Sequence, residues 1–109
     1  MIKHRIEGEV LVCEFEGRLD ATQSQAIQDE LLALIAAHPR KVLLHLDQVS
    51  YLSSMGIRVL VRAAKQVRAA DGALKLCHVG ATVRKVLDIA GMDGILDIRE
   101  SEPAALAAF

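Results

Sequence analysis

The chain has no tryptophan, one tyrosine and two phenylalanines, yet 52% of its residues are hydrophobic. Its core therefore has to be aliphatic, built from Leu, Ile, Val and Ala. Cysteine is as sparse: Cys13 and Cys77 lie far apart in apolar surroundings. There is no CxxC and no His/Cys pair at metal-ligand spacing, so no metal site is expected. Both thiols read as buried and reduced. No hydrophobic run reaches the length of a membrane span. The opening MIKHRIEGEV has no apolar h-region, so no signal peptide is expected and the expected compartment is the cytoplasm. An excess of charge of either sign is missing too. A net charge of −1 removes the general electrostatic case for nucleic acid, which needs a basic footprint.

What is present fits one domain over residues 1–109. Ile2 to Ile6 and Val10 to Glu16 read as two short strands around EGE. Leu11, Cys13 and Phe15 share one face of the second, and Gly17 is expected to break it. A first helix is expected from about Thr22 to Ala37, on Ile27, Leu31, Leu34 and Ile35. Asp20 or Thr22 would cap it, and Pro39 lies just past its end. KVLLHLD is a continuous apolar run, typical of a central strand covered on both faces. A second helix is expected from Ser53 or Ser54 to about Ala70, with a core stripe of Ile57, Leu60, Val61, Ala64 and Val67. ALKLCHV is the next strand. Thr82 would cap a third helix, which Gly91 would end. GILDIRE is a last strand, and SEPAALAAF a terminal helical turn with Ser101 as cap. The order β-β-α-β-α-β-α-β-α implies an α/β fold with a largely parallel sheet.

The junction SYLSSMGI, Ser50 to Ile57, is where chemistry is expected. Ser53 and Ser54 end a strand-to-helix turn, where unpaired backbone N–H groups and the helix dipole favour a capping oxygen or an anion. A phosphate there would not melt the helix. A cap and a modification site are both open on this reading.

Three stretches in sequence resemble the STAS domain of anti-sigma factor antagonists and sulphate transporter tails. They are GRLDA at Gly17 to Ala21, LDQVSYLSSMGIRVLVRAAKQ at Leu46 to Gln66, and GATVRKVLDIAGM at Gly80 to Met92. The resemblance covers essentially the whole chain. It implies a single STAS domain, a mixed sheet of four or five strands with helices mainly on one side. It also implies partner switching: an unphosphorylated antagonist binds an anti-sigma factor that is a GHKL-type serine kinase. Phosphorylation releases that partner, and a PP2C-type phosphatase restores the antagonist. Carried over by position, the phosphorylated residue is Ser54, with Ser53 as the alternative acceptor. The family usually has Asp where Ser53 stands here. Asp20, Met55 and Gly56 are the implied neighbours of the site.

On the second helix, Met55, Arg58, Val59 and Arg62 are expected opposite the core stripe, as a partner-binding face that would suit a homodimer as well as a kinase. No residues assemble into an active site. His45 has no partner that the sequence can place beside it and reads as a packed strand histidine. His4, His38 and His78 share no metal spacing. Gly80 reads as a turn, not a phosphate loop, and Asp88, Asp93 and Asp97 lie on different elements. A non-enzyme without a cofactor is therefore expected. The alternatives are a phosphorylation-independent STAS scaffold, such as a subunit of a lipid-transport assembly, and a small α/β enzyme or nucleotide binder.

Overall fold

A computed structural model describes residues 2–38 and 40–109. Five strands and four helices follow in the expected order: β1 (Lys3–Glu7), β2 (Val10–Leu19), α1 (Ser24–Ala37), β3 (Lys41–Leu52), α2 (Ser54–Ala69), β4 (Ala73–Cys77), α3 (Ala81–Ile89), β5 (Asp97–Arg99) and α4 (Glu102–Ala107). A 3-10 turn, Met92–Gly94, leads into β5. Pro39 lies outside the described residues.

The sheet order is β1-β2-β3-β4-β5. β1 and β2 form an antiparallel hairpin over Gly8, which has φ 64°, and Glu9; the remaining pairs are parallel. Each parallel step therefore needs a crossover, and α1, α2 and α3 supply them. Right-handed crossovers that all advance in one direction put their helices on one face. That face holds the main core: Leu11, Cys13 and Phe15 of β2, with Leu44 and Leu46 of β3, under Leu31, Leu60 and Leu87. The other face is closed by α4, where Ala105, Leu106 and Phe109 meet Val10, Val12, Leu43 and Cys77. β3 is central, and consecutive Val42, Leu43 and Leu44 are fully buried, as a strand covered on both faces requires.

Four local expectations are corrected. Gly17 does not end β2. It takes φ 86° at a pairing irregularity, and the strand runs on to Leu19 beside a β3 that continues to Leu52. A glycine at positive φ lets the ladder absorb an extra residue without breaking. Asp20 does not occupy the N-cap position of α1. Its Oδ1 accepts the N–H groups of Thr22 and Gln23, which forms the turn before the helix. Thr82 lies inside the first turn of α3, and Gly80 takes the cap position without a side-chain bond.

The fourth correction concerns α2. Its buried positions are Gly56, Val59, Leu60, Ala63, Ala64 and Val67, while Ile57 and Val61 are only half-buried. The stripe is turned toward Val59, and Gly56 fixes the turn. A Cβ there would stand 2.6 Å from the Leu19 carbonyl oxygen and 2.7 Å from Leu52 Cδ1. Only a glycine lets the first helical turn touch the strand ends this closely, and that contact carries Val59 and Ala63 inward at i+3 and i+7.

Candidate functional site

The C-terminal ends of β2 and β3 and the start of α2 form one rim. Leu19 and Leu52 pair across the last rung of the two strands. Just beyond, Ser53 takes the N-cap position of α2 with extended backbone. Its hydroxyl accepts the Gly56 N–H at 3.2 Å and donates to the Leu19 carbonyl at 2.9 Å. Its backbone N–H donates to the same carbonyl at 3.0 Å. The single hydroxyl proton of Ser53 is thus committed, and the residue ties helix to sheet.

Ser54 differs in each respect. It is the first residue of α2, is exposed, and its hydroxyl makes no hydrogen bond among the described residues. Of the two adjacent serines, Ser53 caps the helix and Ser54 presents an unbonded hydroxyl.

The rim brings in Asp20, expected from the sequence, and two residues that sequence reasoning missed. Asp20 follows directly on Leu19 and lies 3.6 Å from Arg18 Nε. The Arg18 guanidinium sits 4.2 Å over the exposed ring of Tyr51, its partner in the β2–β3 ladder. Ending β2 at Gly17 hid this pair. Its available signal was a lone tyrosine placed three residues before Ser54.

On α2, Arg58 and Arg62 are exposed and Met55 is half-buried. Val59 has to be withdrawn from the expected partner-binding face, because it is 2% exposed and belongs to the core. The rotation imposed by Gly56 is the reason.

Other singled-out residues lie elsewhere. Cys13 and Cys77 are fully buried, and burial pushes both thiols up to about 12, so both stay protonated at neutral pH. His45 is half-buried and stacks on His78 with ring centroids 4.6 Å apart. His78 Nε2 accepts the Glu102 N–H at 3.3 Å, and the Glu102 carboxylate pairs with Arg5 at 2.6 Å. These contacts fasten α4 to the sheet; His45 is packed against that fastening. A surface hollow of about 560 Å³ lined by Glu9, Ala37, His38, Arg40 and Lys41 lies at the opposite end of the strands from Ser54. No helix among the described residues is long and apolar enough to cross a membrane.

Comparison with known proteins gives a consistent result. A profile of the STAS domain matches residues 1–105. BtrV of Bordetella bronchiseptica, named as an anti-sigma factor antagonist, is 35% identical over 96% of this chain and 90% of its own. The anti-sigma-B factor antagonist of Bacillus subtilis is 30% identical over 75% of this chain and 74% of its own. The solved structure of an anti-sigma-factor antagonist (STAS) domain protein from Planctomyces limnophilus superposes with a TM-score of 0.86 at 31% identity, covering 98% of this chain and 95% of that one. Fold, junction and relatives agree: the chain belongs to the STAS domain family and is a homologue of its anti-sigma factor antagonists.

Proposed function

We propose that this chain is the antagonist of a partner-switching system, controlled by phosphorylation of Ser54. The observation that carries the reading is the unequal pair of serines: Ser53 spends its hydroxyl on Gly56 and Leu19, while Ser54 stands exposed and unbonded beside it. The relatives named as antagonists point the same way. In this reading the chain is a ligand and a substrate, not a catalyst, and it works in the cytoplasm. Unphosphorylated, it binds an anti-sigma factor that is also a GHKL-type serine kinase. That kinase transfers the γ-phosphoryl group of ATP to Ser54: an Oγ–P bond forms, the bond to ADP breaks, and the hydroxyl proton leaves to a base on the kinase. A PP2C-type phosphatase hydrolyses the phosphoserine.

Phosphorylation adds about −1.5 to −2 charges to an exposed position at a helix start, where an anion is tolerated. The fold is therefore preserved and the contact surface is changed. A dianion buried against a partner near Asp20 costs several kcal/mol, and every ~1.4 kcal/mol is tenfold in affinity.

The test is binding to a GHKL-type anti-sigma factor kinase from the same organism, together with phosphosite mapping of the chain from its own cells. Ser54→Asp is expected to abolish binding and Ser54→Ala to hold the complex through ATP addition. Binding indifferent to Ser54→Asp sinks the reading. The neutral Ser53 before the acceptor favours a second reading, a constitutive scaffold subunit. That reading gains if the mature chain carries no phosphate under any growth condition.

A further inference from the structure

Helix α2 has no acidic residue, although the chain as a whole carries 14 acids against 13 bases. Its four cations, Arg58, Arg62, Lys65 and Arg68, are all exposed. None makes a salt bridge or a side-chain hydrogen bond among the described residues. Most cations elsewhere are paired, among them Lys3 with Glu16, Arg5 with Glu102, Lys41 with Glu9 and Lys75 with Asp97. At about 100° per residue the four fall within roughly 120° of one another, on the side of the helix opposite Gly56, Ala63 and Val67. Ser54 lies on the same stripe and heads it. Arg58 is its i+4 neighbour, the spacing at which side chains on one helix face meet.

We propose that Arg58 receives the phosphate of Ser54 within the same helix. The inference rests on the Ser54 reading above and adds to it what holds the phosphate. A phosphoserine gives three acceptor oxygens, and a guanidinium meets them with paired donors. Arg18, on the sheet side of the rim, is already engaged with Tyr51 and Asp20. Asp20 repels the phosphate from that side and so directs it toward Arg58. Once paired, the head of the cationic stripe is reversed in sign, while Arg62, Lys65 and Arg68 keep their charge. Phosphorylation then acts on two surface features together: it removes a free hydroxyl and it withdraws Arg58 from any partner.

The test installs phosphoserine at position 54 during synthesis, so it needs no kinase and its outcome does not depend on whether cells phosphorylate the site. The second ionisation of the phosphate is followed by phosphorus NMR. A phosphoserine titrates near pH 6. Pairing lowers that value by about half a unit relative to the Arg58→Gln chain, and the Arg58 guanidinium resonance moves with the same midpoint. Arg62→Gln, one turn further along the stripe, leaves the midpoint within about a tenth of a unit. Equal midpoints in the parent and the Arg58→Gln chain overturn the pairing. An equal rise in Arg62→Gln also overturns it, because the shift then belongs to the field of the whole stripe. Failure to find phosphate on Ser54 in cells sinks the proposed function and leaves the pairing result as it stands.

Discussion

The face of the sheet beneath α1, α2 and α3 is closed by apolar side chains, while the face beneath α4 carries charge. Among the described residues, twenty-three buried ones form the first cluster and five the second. On the α4 side, Lys75 is 6% exposed, reaches Asp97 at 2.7 Å, and lies 5.1 Å from the Phe109 ring. Arg5, Glu102, His45 and His78 surround the start of α4. A six-residue helix buries too little apolar surface to hold itself by the hydrophobic effect, so ion pairs and hydrogen bonds with fixed geometry complete the attachment. The lesson is one of unequal cooperativity: the larger face sets global stability, and the smaller one can open by itself.

The two cysteines test this most strongly, since each sits on one face. Cys13 belongs to the larger cluster and Cys77 to the smaller. Under native conditions at pH 8, thiol labelling is expected to modify Cys77 about a hundredfold faster than Cys13, through opening of α4 alone. Equal rates break the comparison, because both faces then open as one unit.

A second effect is smaller. Asp97→Asn leaves Lys75 buried without its counter-charge. Breaking a buried pair costs about 3–5 kcal/mol; because Asp97 is over a third exposed, about 2 kcal/mol is expected here. The bond from Arg99 first, and that from Lys75 second, hold the Asp97 carboxyl below its ordinary value of 3.8. A depressed folded value means that the contribution is full above about pH 4 and is lost as pH falls through the folded value. Urea denaturation at a series of pH values should therefore show the gap between parent and variant at pH 7 closing below about pH 4. A gap that does not narrow at all as the pH falls below about 4 contradicts the assignment.

The smallest effect separates the two serines on the larger face. Ser53→Ala removes the α2 cap and the bond to Leu19, costing about 1 kcal/mol. Ser54→Ala is expected within about 0.5 kcal/mol of the parent. Thermal unfolding of the two variants reads the difference, and reversed sizes would move the cap to Ser54.

Much of this was legible from the residues in order. Pattern and punctuation gave the order of all nine elements: Ile27, Leu31, Leu34 and Ile35 share a face only in a helix, and the short continuous run around Val42–Leu43–Leu44 suits a strand covered on both faces. The SYLSSMGI junction stood out because strand formers end there and helix formers begin. The face of α2 did not, because Ile57 and Val61 fit a helical stripe as well as Val59 and Ala63 do. Periodicity leaves such a helix free to turn by one position, and only the contact of Gly56 with Leu19 removes the freedom. The Arg18–Tyr51 pair was hidden for a related reason: a glycine within a strand reads as an end, and whether it is an end or a bulge depends on the neighbouring strand.

The sequence by itself determined the aliphatic core, the element order, the family, and the place where two serines meet a helix start. These follow from local periods and from a motif, neither of which needs a neighbour. The tertiary structure decided which serine caps, which side of α2 is buried, and that Arg58 stands unpaired one turn from Ser54. Each of those depends on an atom more than thirty residues away, the Leu19 carbonyl that takes the Ser53 proton and the close approach of Gly56 to it. A hydrogen-bond partner across the sheet has no signature in the order of the residues.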